Sequence, residues 1–475
     1  MTDLLLFLPE LSVLIMMVVF LCFIFVSQSL REKIFNIALV LSVATLFASL
    51  VALPARGWLF ADCYQLDSLS QIFKVAIALA LVFTIAISDH PVGLHPTLHP
   101  EYYFFLSSAS LGLMMLTSAV ELLTLYVSLE LSSYSLYVLV PLRRQGTLSG
   151  EGGIKYLLFG AGMSGLLVYG LSLIFGLVQN TYFAEIAGVF PAISHEPIGI
   201  LAIFLILAVF FFKLSAFPFH FWAPDAYEAG ATQVTHFIST ASKATAIALF
   251  LRLFQYFGAI LNTLTPLFVV IAFTSMTLGN LVALTQQDMK RLLAYSSIAQ
   301  AGYLWVALLA QTQEGYTAVL FYAIVYVLMN AAVFLVTEQV ARAAKQDNPQ
   351  IETFQGLAER SPLLALTLLL ALLSLAGIPP LAGFTGKWIL FTAAMNQGHV
   401  FLVLAGVINS VISLYYYLMV VKQAYWGKPS TAYPIAVPTH LRLLCYLFII
   451  AIVALGVFPT FLLTQAQTAI ASVMP

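Results

Sequence analysis

Apolar residues fill this chain in runs of about twenty, separated by short polar or proline-bearing joints, with no alternating apolar–polar stretches. Runs of that length match a helix that crosses the hydrocarbon core of a bilayer. Their continuity predicts helices rather than a β-barrel, whose strands would alternate. The windows predict fourteen spans, roughly 4–26, 34–54, 66–88, 102–119, 121–141, 154–178, 198–222, 233–257, 264–285, 292–311, 316–343, 361–396, 399–426 and 440–463. The twelfth is too long for one simple span and is interrupted by Gly377-Ile-Pro-Pro380. The seventh has a similar interruption at Ser215-Ala-Phe-Pro218.

The two broken spans lie five places apart and so cross in opposite directions. Lys213 precedes Pro218, whereas Lys387 follows Pro380. An inverted-topology repeat produces such a mirrored order. The expected organisation is an all-α integral membrane protein with two inverted five-helix repeats, 101–260 (spans 4–8) and 261–428 (spans 9–13). Three N-terminal spans in 1–100 would form an accessory interface, and 429–475 would add a last span.

Composition agrees: 61% of the 475 residues are hydrophobic and 8% are charged, which no soluble core of this length would show. The formal net charge of −1 suggests neither a nucleic-acid nor an acidic-substrate partner. Cys22, Cys63 and Cys445 are scattered, with no metal, iron–sulfur or disulfide spacing. Asp3 stands where a signal peptide would carry basic residues, so the first run reads as a retained span.

Of nineteen Lys and Arg, twelve fall in or beside odd-numbered loops: Arg31, Lys33, Arg143, Arg144, Lys290, Arg291, Arg342, Lys345, Arg360, Lys422, Lys428 and Arg442. Only Arg56 and Arg252 lie near even-numbered loops. The positive-inside rule then places the odd loops in the cytoplasm and both termini on the outer, periplasmic side of a bacterial inner membrane. The loop 90–101 is expected inside although it has no Lys or Arg.

Five lysines remain inside spans: Lys74, Lys155, Lys213, Lys243 and Lys387, joined there by Glu130. A charge at the bilayer centre costs at least about 2.5–3.5 kcal/mol, so such groups are expected to face protein or water, to pair, and to carry ions or protons. Glu130 lies in Tyr126-Val-Ser-Leu-Glu-Leu-Ser-Ser-Tyr134, either as a neutral hydrogen-bonded carboxyl or as a carboxylate tuning a lysine. Lys213 follows three phenylalanines and sits about 14 Å from the nearer span end, too deep to snorkel easily. Lys243 is set among small and hydroxyl residues in Ser239-Thr-Ala-Ser-Lys-Ala-Thr245. Lys387 follows Gly383-Phe-Thr-Gly386.

Three further groups have open readings. His236, two helical turns before Lys243, would share its face and either relay protons or be a satisfied core histidine. His220, seven residues after Lys213, is a relay or a structural group. Lys155 takes part in transfer or snorkels to the cytoplasmic surface. Lys74 reads as a packing or interface residue. The His-Pro pairs at His90, His95 and His99 look like a metal tract but read as a proline-rich loop without ordered geometry. Gly160-Ala-Gly-Met-Ser-Gly165 matches a dinucleotide fingerprint, yet it has no preceding strand, so its small residues suit close helix packing instead. No Walker, haem or flavin signature and no specific Ser/His/Asp arrangement is present.

Phe212-Lys-Leu-Ser-Ala-Phe-Pro-Phe-His-Phe-Trp-Ala-Pro-Asp-Ala-Tyr227 resembles the signature of the antiporter-like subunits of respiratory complex I. Ala241-Ser-Lys243, Met289-Lys-Arg-Leu-Leu-Ala-Tyr-Ser-Ser-Ile298, Leu375-Ala-Gly-Ile-Pro379 and Gly383-Phe-Thr-Gly-Lys387 extend the resemblance over about 100–425. Within the family it is most similar to the N type: Ile154-Lys-Tyr156 and Tyr415-Tyr-Tyr-Leu418 favour it. A lysine rather than a glutamate at 387 argues against the M type, and the lack of a long C-terminal lateral helix against the L type. One departure is the stretch from Glu228 to His236, which lacks the prolines usual in the family.

The resemblance implies fourteen core helices, a hydrated polar axis, Glu130 and Lys213 as a pair, Lys243 as the connecting lysine and Lys387 as the terminal one. It also implies that NADH, flavin, iron–sulfur clusters and quinone belong to partner subunits, and that the lateral partners are an M-type subunit and small membrane subunits. The alternative is a subunit of a multisubunit cation/proton antiporter, driven by an ion gradient rather than by redox energy. A structural membrane scaffold fits the buried lysines poorly.

Overall fold

A computed structural model describes residues 5–25, 33–89, 93–142, 147–193, 196–428 and 434–473. Arg31, His90, Arg143 and Arg144, on which part of the sequence reading relies, lie outside the described residues. Helices α1 (Leu8–Ile24) and α2 (Ile34–Val51) lead into a two-stranded antiparallel hairpin, β1 (Gly57–Leu59) and β2 (Tyr64–Leu66). Then come α3 (Ser68–Ala86), α4 (His99–Ser118), α5 (Leu122–Leu139), α6 (Thr147–Val178), α7 (Phe183–Ile193), α8 (Pro197–Leu214) and α9 (Trp222–Ala229). Helix α10 (Thr232–Phe237) runs through a π turn, Ile238–Ser242, into α11 (Lys243–Leu261). The remainder is α12 (Thr265–Ala283), α13 (Met289–Leu308), α14 (Gln313–Ala344), α15 (Pro362–Ala376), α16 (Ala382–Asn396), α17 (Val400–Trp426), α18 (Thr439–Val457) and α19 (Thr460–Ala471).

The protein is an all-helical integral membrane protein. Among the described residues, ten helices are long and apolar enough to cross a membrane, and α1 and α15 are shorter apolar helices. Local chemistry sets many of the ends. Asp67 and Ser70 form a reciprocal capping box at α3, Asp288 caps α13 and Thr312 caps α14. Proline occupies the first turn of α8, α12 and α15, where its missing N–H has no cost.

The broken helices end in the same way. Helix α8 stops at Ser215 (φ 57°) and α15 at Gly377 (φ 90°), each in the left-handed conformation that closes a helix C-terminus. A cis peptide precedes Pro218 in one break and Pro380 in the other. At Gly377 an added Cβ would approach the Lys387 side chain to 3.1 Å, so glycine serves both the backbone and the lysine.

The α10–α11 segment is enclosed by protein along 232–254, and α14 is nearly so. Helices α2 and α18 lie at the periphery. The polar residues of the central helices therefore meet other helices and not lipid, the condition under which intramembrane polar groups are tolerated.

Several expectations need correction. The hairpin, α7 and α19 were not foreseen; α19 packs back against α14 and α3. Pro96–Leu98 forms a 3-10 turn, His95 Nδ1 is 2.6 Å from Thr97 Oγ1 and His99 begins α4, so this part of the histidine-rich loop is ordered. In the glycine-rich stretch of α6 only Gly160 makes the expected close approach, against Tyr137; nothing lies within 4 Å of a Cβ at Gly162 or Gly165. Arg252, expected near an even-numbered loop, faces the protein interior. It is buried in α11 and bonds both carboxylate oxygens of Asp67, at 2.5 and 3.1 Å.

The Arg252–Asp67 pair ties α11 to the start of α3. Removing one partner of a buried pair strands the other charge, at about 3–5 kcal/mol. Asp67→Asn is therefore expected to lower the thermal unfolding midpoint of the detergent-solubilised protein clearly, by static light scattering or tryptophan fluorescence. An unchanged midpoint would show that Arg252 finds another partner.

Candidate functional site

A helix end leaves its last carbonyls without partners and carries the negative end of the helix dipole. Each broken helix presents such an end inside the protein, and each is met by a lysine. Lys243 Nζ donates to the carbonyl of Leu214, the last residue of α8, at 3.0 Å. Lys387 Nζ donates to the carbonyl of Ala376, the last residue of α15, at 3.2 Å. Lys243 reaches across from α11, whereas Lys387 reaches back from α16 to the first half of its own broken span.

Lys387 has two further neighbours. Its ammonium lies 3.2 Å from Ser410 Oγ and 4.3 Å from the centre of the Tyr303 ring. Ammonium over an aromatic face is attractive when desolvated. From Tyr303 the polar contacts continue: its hydroxyl accepts from Asn280 Nδ2 at 3.0 Å, and Asn280 also binds Asn409 and Tyr416. On the other side Gln300 donates to the Leu375 carbonyl at 3.2 Å and accepts from the Tyr322 hydroxyl at 2.5 Å. The carbonyl end of α15 is thus lined by bonded polar groups.

Glu130 and Lys213 do not form the direct pair that the resemblance implied. No ion pair joins them within 4.0 Å among the described residues. Lys213 Nζ donates to Ser133 Oγ at 2.6 Å, and Glu130 Oε1 accepts from Ser164 Oγ at 2.5 Å. Glu130 and Ser133 lie three residues apart on α5 and so share a face. The lysine reaches the glutamate's helix face through a serine. Both charged side chains are buried.

Lys290, counted in the sequence as a loop charge, is buried; its amine binds the carbonyls of Glu228 and Gly230, at 3.0 and 2.8 Å, at the end of α9. A third helix C-terminus is thus met by a lysine.

The remaining expected residues separate from this set. His236 bonds Thr84 of α3 through Nδ1 at 2.7 Å and packs on Phe334. The π turn between His236 and Lys243 adds to the helical turn, so their seven-residue spacing no longer aligns them. His220 is buried between Phe217 and Phe221, ring centres 5.7 and 4.4 Å away, and its Nδ1 has no hydrogen bond. Lys155 is well exposed and paired with Glu151 and Asp225 at 2.7 and 2.9 Å. Asp225 also binds Arg291 at 2.9 Å, so this cluster clamps α6, α9 and α13 together.

The sequence reading missed a buried carboxylate. Glu10, early in α1, pairs with Lys74 of α3 at 2.6 Å, both fully buried, and also accepts from the Tyr64 hydroxyl. An acidic residue inside the first apolar run was the available signal. Ser164 was also passed over, because the glycine-rich motif containing it was treated only as packing.

The family model describing the transmembrane part of NADH:quinone oxidoreductase and Mrp antiporter subunits matches residues 119–413. NADH-quinone oxidoreductase subunit N 2 of Syntrophobacter fumaroxidans is 43% identical over 464 residues, 98% of each chain. A chain in a structure of respiratory complex I from Thermus thermophilus with bound aureothin superposes with a TM-score of 0.83 at 30% identity, covering 97% of this chain and 99% of its own. A chain of the Mrp complex from Dietzia gives the same TM-score at 21% identity, with 99% and 97% covered, which is a likeness of fold.

Proposed function

Since this chain belongs to the NADH:quinone oxidoreductase/Mrp antiporter family, as an antiporter-like complex I subunit of the N type, we propose that it moves protons through its buried lysines. The observation that carries this reading is the placement of Lys243 and Lys387 on the terminal carbonyls of the two broken helices. A helix end stabilises the charged form of a lysine, and a small displacement of that end removes the stabilisation. Each lysine then holds a proton in one arrangement and releases it in the other. Lys213, with Glu130 acting through the shared face of α5, supplies a third such position. In this reading His220, His236 and Lys155 are supports rather than carriers.

Energy must arrive from outside, because a fixed row of lysines transfers nothing until a neighbour changes its geometry. In this proposal redox chemistry with NADH, flavin, iron–sulfur clusters and quinone takes place on partner subunits. The chain sits beside an M-type subunit and small membrane subunits in the bacterial inner membrane, with both termini outside. Residues 1–100 add interface, 101–260 and 261–428 form the inverted repeats, and 429–475 closes the bundle.

The test separates this role from that of a gradient-driven antiporter. The purified chain, reconstituted alone in liposomes with an imposed pH or sodium gradient, is expected to show no exchange above protein-free vesicles by a pH-sensitive dye. Robust exchange would overturn the redox-driven reading and favour the antiporter.

A further inference from the structure

Where α14 ends and α15 and α18 begin, a cluster of donors has no acceptor. The last turns of α14, the short turn Leu357–Arg360 before α15 and the chain at 434–436 before α18 enclose a recess of about 330 Å³. Gln339, Arg342 and Arg360 line it, and behind its surface Gln339 Nε2, Arg342 Nε and Arg360 Nε are buried without a hydrogen bond. Gln339 and Arg360 are 2% and 7% exposed.

Two arginines and two carboxylates border the recess, and both carboxylates face Arg342. Arg342 is engaged elsewhere through its terminal amine, with Asp89 at 2.6 Å and Glu338 at 3.7 Å, and Asp89 also faces His440 at 3.9 Å. Arg360 has no carboxylate within 4.0 Å among the described residues. Arg360 is therefore a guanidinium without a carboxylate partner, beside two further unpaired N–H groups. A buried donor left unpaired costs about 1–3 kcal/mol, more when it is charged. Water could satisfy the N–H groups but brings no negative partner to Arg360. A phosphate group meets both needs, since it carries negative charge and several acceptor oxygens that suit guanidinium geometry.

We infer that this recess binds the phosphate of an anionic phospholipid, through Arg360, Gln339 and Arg342 Nε. Three helix ends meet here, which places the recess at the membrane–water boundary. The distribution of basic residues puts that boundary on the cytoplasmic side, where basic pockets between transmembrane helices take anionic headgroups. The volume falls within the range of small-ligand sites.

The assembly is delipidated in mild detergent and titrated with phosphatidylglycerol or phosphatidylcholine, and bound lipids are counted by native mass spectrometry. Wild type is expected to gain one phosphatidylglycerol that Arg360→Gln binds about tenfold more weakly and that phosphatidylcholine does not replace. Gln339→Leu should weaken binding less, which keeps the test usable if the arginine variant folds poorly. In a second arm, inorganic phosphate is added during thermal unfolding. Protection of wild type but not of Arg360→Gln, with equal lipid counts, would support the phosphate site and assign it to the free anion. Equal lipid counts together with equal thermal responses would overturn the site.

Discussion

Replacing Lys387 with alanine is expected to stop proton movement through this chain while the complex still assembles. General acid–base groups typically contribute about 10²–10⁴-fold, so flux by this route should fall by two orders of magnitude or more. The decisive comparison is Lys387→Arg. Arginine keeps the positive charge, can still donate to the Ala376 carbonyl and can stack on Tyr303, but it does not release a proton in proteins. If Lys387 only neutralises the end of α15, Lys387→Arg should pump nearly normally and Lys387→Ala should mainly lose stability. If Lys387 transfers protons, both variants should fail alike, with the arginine form retaining the wild-type unfolding midpoint. The readout is proton uptake by inside-out membrane vesicles per NADH oxidised, with assembly followed by native gel. Lys243, which holds the matching place on the end of α8, should give the same pattern. Normal uptake with Lys387→Arg would remove Lys387 from the path.

Much of this was legible in the chain, for physical reasons. Membrane helices announce themselves through length and composition, and a helix was found in each predicted window. The interruptions at Ser215 and Gly377 were visible because a proline follows each within three residues, where it removes a helix hydrogen bond and clashes with the preceding turn. The buried lysines stood out because a charge in an apolar run is costly. What the chain did not disclose was who meets whom. Lys243 binds a backbone carbonyl on α8, and a carbonyl has no signature in the sequence. Arg252 and Lys290 looked like boundary charges because each lies near a span end; only packing shows that one serves Asp67 and the other the end of α9. His236 was misaligned because a π turn inserted between it and Lys243 changes the period on which the spacing argument rested. Glu10 and Lys74 lie 64 residues apart, and only the packing of both α1 and α3 against α4 makes them a pair.

The separation of Glu130 from Lys213 leads to the second large effect. A direct ion pair would make Glu130 indispensable and leave nearby hydroxyls unimportant. In the observed arrangement Lys213 is held by Ser133, and Glu130 by Ser164 on α6. The lysine and the carboxylate are then parts of one switch: a change of Lys213 rotamer from the serine to the carboxylate would form the pair, and the return would break it. Four variants distinguish this from a static pair. Lys213→Ala should abolish proton uptake in the assembled complex. Glu130→Gln, nearly the same shape without the charge, should reduce it about tenfold or more, and Glu130→Asp less. Ser133→Ala should impair uptake too, because the lysine loses its resting partner and is left either paired or unsatisfied. A static pair predicts no effect of Ser133→Ala beyond a small loss of stability. Were Ser133→Ala and Glu130→Gln both to pump like the parent, the hydroxyl and the carboxylate would be structural neighbours only, and Lys213 would have to exchange its proton without them.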